Sequence, residues 1–222
     1  MRAVAVARRS AVKAETQAVN RLRGLLVSAP AFLRETLLKA KARDCVAACL
    51  AIKDQDDSPA VAALKSTLRL PATRWTALHA ELGALDAALA RLTRRAAPGL
   101  TARFGAGPQT AATLPATAGD NPQRLHSEAA LAALCGVSPL EASSGKVSRR
   151  RLDRGGVRQA NNALWTVSMV RMRSDERTKA CTERRTREGR TYEEIQRCIK
   201  RCIVPELYPL ILADLGEAAS LA

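Results

Sequence analysis

The chain has 222 residues, room for one domain with an appendage or for two small domains. Hydrophobic residues make up 47% and aromatics only 3%, with alanine abundant; this favours close-packed helices over sheet, because aromatic and β-branched side chains suit strands while Ala, Leu and Arg suit helices. The formal charge of +15 points to a polyanion (DNA, RNA or an anionic membrane surface), and the lack of any apolar run of about eighteen residues excludes a bilayer span.

Near the N-terminus stand Arg2, Arg8 and Arg9 with no apolar stretch behind them, so no secretory signal is expected and the location read from this is cytoplasmic. Residues 2–27 read as a helix, with Val12, Val19, Leu22 and Leu26 on one face and Ser28-Ala29-Pro30 as its end. It starts at Met1 without a cap, as if cut from a longer element. Helices follow at about 31–42, 45–53 and 59–70. The acidic loop 54–57 precedes the last of these, with Ser58 as N-cap and Pro59 at its first position.

Trp75, Leu78, Leu82, Leu85, Leu89 and Leu92 then alternate steps of three and four, a heptad seam closed by Pro98-Gly99. Two arrangements satisfy it: a coiled-coil joint between two copies of the chain, or an antiparallel hairpin folded back on helix 2–27. Beyond a boundary around 97–102, helices are expected near 108–118, 127–135, 155–173, 175–188 and 191–203, with no strand alternation anywhere. The predicted fold is all-α. A helical linker with a coiled-coil segment covers 1–99, a compact helical domain covers 100–212, and a tail covers 213–222.

Three stretches of the second half carry chemistry. Phe104-Gly105-Ala106-Gly107-Pro108 has the form of a helix-hairpin-helix turn, in which Gly105 and Gly107 free the backbone to bring amide N–H groups and a helix N-terminus against a phosphate. Ser143-Ser144-Gly145-Lys146 is a polar turn that could present a hydroxyl to a phosphodiester; attack would give a phosphoserine link that keeps the bond energy for rejoining. Such a reaction needs cations around the phosphorus, which Lys146, Arg149, Arg150, Arg151, Arg154 and Arg158 supply, and a base or metal, which is missing here: no histidine is near in sequence and the nearest carboxylates are Glu141 and Asp153. Residues 145–201 hold 17 Lys and Arg against 7 Asp and Glu, so ten of the fifteen net positive charges lie in a quarter of the chain. Gln159, Asn161 and Asn162 offer amides to sugar, phosphate or base, while Leu164, Trp165, Val167 and Met169 are expected in the core. The run around Arg184, Arg185, Arg187 and Arg190 reads either as a phosphate-tracking surface or as a solvated helix face paired with its own glutamates.

The six cysteines form no CxxC pair, and only His79 and His126 could join them at a zinc site, so free thiols and no metal are expected.

In order and spacing, FGAGPQTAATL, SEAALAALCGVSPLEASSGK, RLDRGGVRQANNALW, VRMRSD and RRTREGRTYEEIQRCIKRCIVPELY resemble the C-terminal domain of the DEDD-type insertion-sequence transposases, the Piv-like family of RNA-guided bridge recombinases. The likeness is strongest over 100–210 and looser over 5–95. It implies DNA transposition and recombination, with Ser144 as nucleophile and Ser143 as the fallback. DNA is the implied partner, a guide RNA a second one, and the coiled-coil segment a route to a homo-oligomer. Magnesium would be held by the four carboxylates of an N-terminal RuvC-like domain that would precede Met1, so this chain is expected to bind DNA without cutting. Pro115 departs from the family's pattern. The alternative function is a stand-alone, truncated DNA- or RNA-binding regulator or dimerisation partner in which Ser144 is dispensable.

Overall fold

A computed structural model describes residues 1–53, 58–119, 125–145, 150–151 and 153–220, with the backbone alone for Arg150 and for 217–220. The elements are α1 (Arg2–Val27), α2 (Ala31–Leu37), α3 (Ala42–Leu50), α4 (Pro59–Ala96), α5 (Pro98–Thr101), α6 (Pro108–Ala118), α7 (Glu128–Leu134), β1 (Leu140–Glu141), β2 (Arg150–Arg151), α8 (Arg158–Ser174), α9 (Glu176–Arg187) and α10 (Tyr192–Ser220). The all-α expectation holds, apart from the two-residue antiparallel ladder Leu140↔Arg151 and Glu141↔Arg150. The chain divides into two compact units, Val6–Ala87 and Met1–Ala5 with Ala88–Ala222.

In the Val6–Ala87 unit, Ser58 caps α4 by accepting from the Val61 N–H at 3.4 Å. A long-range ion pair, Arg8 with Asp86, and a hydrogen bond of 2.8 Å between Glu15 and His79 join α1 to α4. The partner's number falls as the α1 number rises, so the helices run antiparallel. Leu22 and Leu26 of α1 share a core with Leu68, Ala72 and Trp75 of α4, and Leu33, Leu37, Cys45, Val46 and Cys49 of α2 and α3 close it. Of the two arrangements open to the heptad seam, the chain adopts the internal hairpin here: the buried seam residue Trp75 packs in a core that α1 completes. Pro71 does not end α4 as the expected boundary at 70 required. An interior proline costs about 3 kcal/mol, and the buried pair Leu68 and Ala72 on either side keeps the helix in place.

The second unit is built around α10. Ile195, Ile199, Ile203, Val204, Leu207 and Ile211 pack with Leu100, Leu114, Leu131, Leu164 and Val167 from α5 to α8. Here too prolines misled: α10 was expected to stop at 203, yet it continues through Pro205 and Pro209 because Val204, Leu207 and Ile211 are fully buried around them. The segment 213–220 is helical. Within it, the buried carboxylate of Asp214 accepts from the Gly99 N–H at 3.0 Å and the Leu100 N–H at 3.1 Å, supplying the orphan donors at the start of α5.

Candidate nucleic-acid interface

The site begins where α7 ends. Gly136, at φ +62, closes the helix: its N–H donates to the Ala133 carbonyl at 2.9 Å, and the Val137 N–H donates to the Ala132 carbonyl at 2.9 Å. The next orphan carbonyl, Leu134, accepts from the Val157 N–H at 2.7 Å. Asn161 of α8 supplies the rest, its amide donating to the carbonyls of Cys135 at 3.0 Å and Gly136 at 2.9 Å. Its oxygen accepts from the buried Lys200 ammonium of α10 at 2.9 Å. Burial, and then the neighbouring Arg197, lower the Lys200 pKa. Gly155 is held by the Asp153 carboxylate at 2.8 Å, and Gly156 lies so close to α7 that a Cβ there would stand 2.1 Å from the Gly136 nitrogen. Asn161, read from the sequence as an amide for nucleic acid, is therefore spent on the fold.

From this floor the chain leaves as β1 and returns as β2, carrying the serines between them. Ser143, Ser144 and Gly145 are exposed, and Gly145 turns the backbone at φ +57 with open space around it. The Ser143 hydroxyl donates to the Glu141 carboxylate at 3.0 Å, so the carboxylate nearest in sequence engages the fallback serine. Opposite Glu141 in the ladder stands Arg150, and Arg151 beside it is exposed. Lys146 and Arg149 lie outside the described residues, as does the acidic loop 54–57.

Helix α8 presents Arg158, Gln159, Asn162 and Thr166 outward, and Arg154 is exposed just before it. Leu164 and Val167 are in the core as expected, and Met169 is half-buried, but Trp165 is 42% exposed. The buried arc of the helix is filled by Ala160, Ala163, Leu164, Val167 and Ser168, which leaves Trp165 on the outer edge.

The glycine turn is divided in role. Gly105, at φ +86, is needed for close packing, since a Cβ would meet Val167 at 3.3 Å. Gly107 is exposed, its missing Cβ would point into open space, and it caps the N-terminus of α6, which runs through Pro115 to Ala118. Arg171 seals the turn by donating to the Phe104 carbonyl at 3.0 Å and gripping Glu206 through two hydrogen bonds of 2.7 and 2.9 Å. That grip holds the Glu206 carboxyl below the usual carboxylate range. Beside it a cleft of about 1290 Å³ is lined by Phe104, Arg103, Arg177, Arg184, Arg187 and Glu206 among others. Part of the arginine run pairs with nearby glutamates, Arg185 and Arg184 with Glu188 at 2.9 and 3.9 Å and Arg190 with Glu194 at 3.8 Å, so the solvated-face reading fits those three.

All six cysteines are free, and burial pushes the Cys135 thiol up to about 12. Among the described residues no group of three His, Cys, Asp or Glu could hold a metal ion. No described helix is long and apolar enough to cross a membrane.

Residues 99–183 match the family model of the IS116/IS110/IS902 transposases. That span takes in the glycine turn, the serine hairpin, all of α8 and most of α9. Both lines of similarity are to insertion-sequence proteins of the IS110 kind. The second is a curated Streptomyces coelicolor protein, the insertion element IS110 uncharacterized 43.6 kDa protein, 29% identical over 143 residues. The match covers 63% of this chain and 35% of the relative, so the chain spans about a third of the length of the curated protein it resembles. The matched segment contains the glycine turn, the serine turn and the arginines Arg151, Arg154 and Arg158.

Proposed function

We propose that this chain is the DNA-binding, serine-carrying part of a transposase of the Piv-like, bridge-recombinase kind. The observation that carries the reading is the exposed Ser144–Gly145 turn, held on a ladder whose second strand is Arg150–Arg151, inside the segment that matches the transposase family. In the complete reaction the Ser144 oxygen attacks the phosphorus of a strand, a phosphoserine ester forms, and the departing strand's oxygen takes up a proton. A hydroxyl of a second strand then attacks the phosphoserine, restores the serine and joins the strands. Arg151, Arg154 and Arg158 stabilise the charge gathering on the phosphate and track the backbone on either side. A guide RNA would bear on the same basic surface. On this reading the magnesium that cutting requires is held by a RuvC-like domain, and the chain on its own binds without cutting.

Strand joining by the chain together with a RuvC-like domain supplied in trans tests this. Ser144→Ala should then abolish strand joining and leave salt-dependent DNA binding unchanged, whereas Ser143→Ala should retain activity. Replacing Arg151, Arg154 and Arg158 with Ala should lower the salt slope by about one unit for each arginine that touches phosphate. Full joining by Ser144→Ala would take the nucleophile's role away from Ser144. An unchanged salt slope would remove the arginines from the interface.

A further inference from the structure

Trp165 is large, apolar and 42% exposed on a strongly basic face, where burial in the core was expected. One turn on, Met169 accepts a hydrogen bond at its sulfur from the Tyr192 hydroxyl at 2.9 Å. That contact pins the first residue of α10 against α8, with Tyr192 itself 49% exposed. Trp165 and Met169 are four apart and so are neighbours on the helix surface. Together with Tyr192 they place two exposed rings on either side of a half-buried thioether. Among the described residues the aromatic stack is Trp75 on His79, so neither ring of the patch is occupied by another aromatic side chain.

The flanks of the patch select its occupant. Arg158 lies two turns before Trp165 on the same face and Arg173 lies one turn after Met169; both are exposed, and neither has an acidic partner among the described residues. A protein partner would have to desolvate two unpaired guanidinium groups to reach the rings. A single strand with unpaired bases meets the whole surface: its phosphates face the arginines and its bases face the rings, an arrangement in which stacking tolerates any base. A duplex cannot use it in this way, because its base faces are already stacked.

We infer that Trp165 and Tyr192 form a stacking platform for unpaired bases of single-stranded nucleic acid, with Arg158 and Arg173 holding the flanking phosphates. This rests on the nucleic-acid reading above but concerns a different step, the capture of a strand that has left its duplex.

The test is intrinsic fluorescence of the full chain titrated with short oligo(dT), with oligo(U) of equal length and with a duplex. Trp75 is buried, so the difference between wild type and Trp165→Phe reports Trp165. Oligo(dT) or oligo(U) should quench wild type strongly and Trp165→Phe hardly at all, and whichever binds more tightly identifies the strand as DNA or RNA. Trp165→Ala should weaken single-strand binding about tenfold, near the low end of what one stacked base contributes. Trp165→Phe should retain most of the affinity, which a merely electrostatic surface would not distinguish from the alanine variant. The duplex should bind without quenching. Single strands that bind wild type without quenching Trp165 would overturn the platform alone. If neither strand nor duplex binds, both the platform and the nucleic-acid reading fail.

Discussion

Two adjoining stretches of the second unit obey opposite rules. The junction of α7 and α8 is closed: each carbonyl from Leu131 to Gly136 has a donor, and two glycines touch backbone to backbone. The hairpin that springs from it is open: Ser143, Ser144 and Gly145 are exposed and are tied to the rest by a two-residue ladder. The same residue types serve both. Glycine is required at Gly156 by contact and favoured at Gly145 by backbone angle alone. An amide locks the floor at Asn161 and is free for a ligand at Asn162. A reactive residue gains from such a division, because a floor that cannot shift fixes the base of the turn while the turn stays accessible.

The sharpest way to break the floor is Gly156→Ala. The added methyl would stand 2.1 Å from the Gly136 nitrogen and 2.3 Å from its Cα, both backbone atoms that no rotamer change can move. We expect a loss of at least about 3 kcal/mol, at the severe end of overpacking, read as the shift of the urea midpoint at constant slope. A variant of wild-type stability would show that α7 and α8 can separate freely.

Asn161→Ala tests the same floor through its hydrogen bonds. It strips two helix-end carbonyls of their donor and the buried Lys200 of its acceptor, for an expected loss of about 2 kcal/mol. Lys200→Met sharpens the result through pH. The Lys200 pKa is lowered from 10.5 in the folded state, so the unfolded chain binds the proton more tightly and the charged form is penalised by folding. The penalty is fully present below the folded-state value and fades as pH rises toward 10.5. Wild type should therefore gain on Lys200→Met across the alkaline range, and a flat difference would mean that burial does not perturb this lysine.

Several helix ends were legible in the sequence: α1 stops ahead of Pro30, α6 starts after Gly107 and ends before Gly119, and Ser58 caps α4 as expected. Prolines were overread. Pro71, Pro205 and Pro209 sit inside helices because buried leucines, isoleucines and valines outweigh one missing hydrogen bond, and a local signal carries no measure of that burial. The floor was invisible for a related reason. The Asn161 hydrogen bonds span 25 residues or more, back to Gly136 and on to Lys200, and an Asn beside an Asn looks equally free in the sequence. Trp165 was misplaced because helical periodicity puts it one step from the core arc, where a wide side chain can lie on either side of the boundary. The Ser-Ser-Gly turn was found by motif, and its exposure follows from polarity alone.

Gly145→Ala is the counterpart of Gly156→Ala, the same substitution made on the open side. Nothing lies within 4 Å of the position a Cβ would take, so no clash opposes it. What remains is the backbone angle, φ +57, which disfavours a side chain by about 1 kcal/mol. The global loss should stay below that figure, because a two-residue ladder can change the path of its turn without disturbing α7 or α8. Activity should suffer more than stability: in the complemented joining assay the rate should fall while the urea midpoint barely moves, since the substitution re-aims Ser144 and leaves the floor intact. A glycine needed only for stability would give the reverse, with joining falling only as far as the folded fraction falls. Comparing the two alanine variants in one denaturation series then tells whether rigidity and reactivity are separately held in this domain.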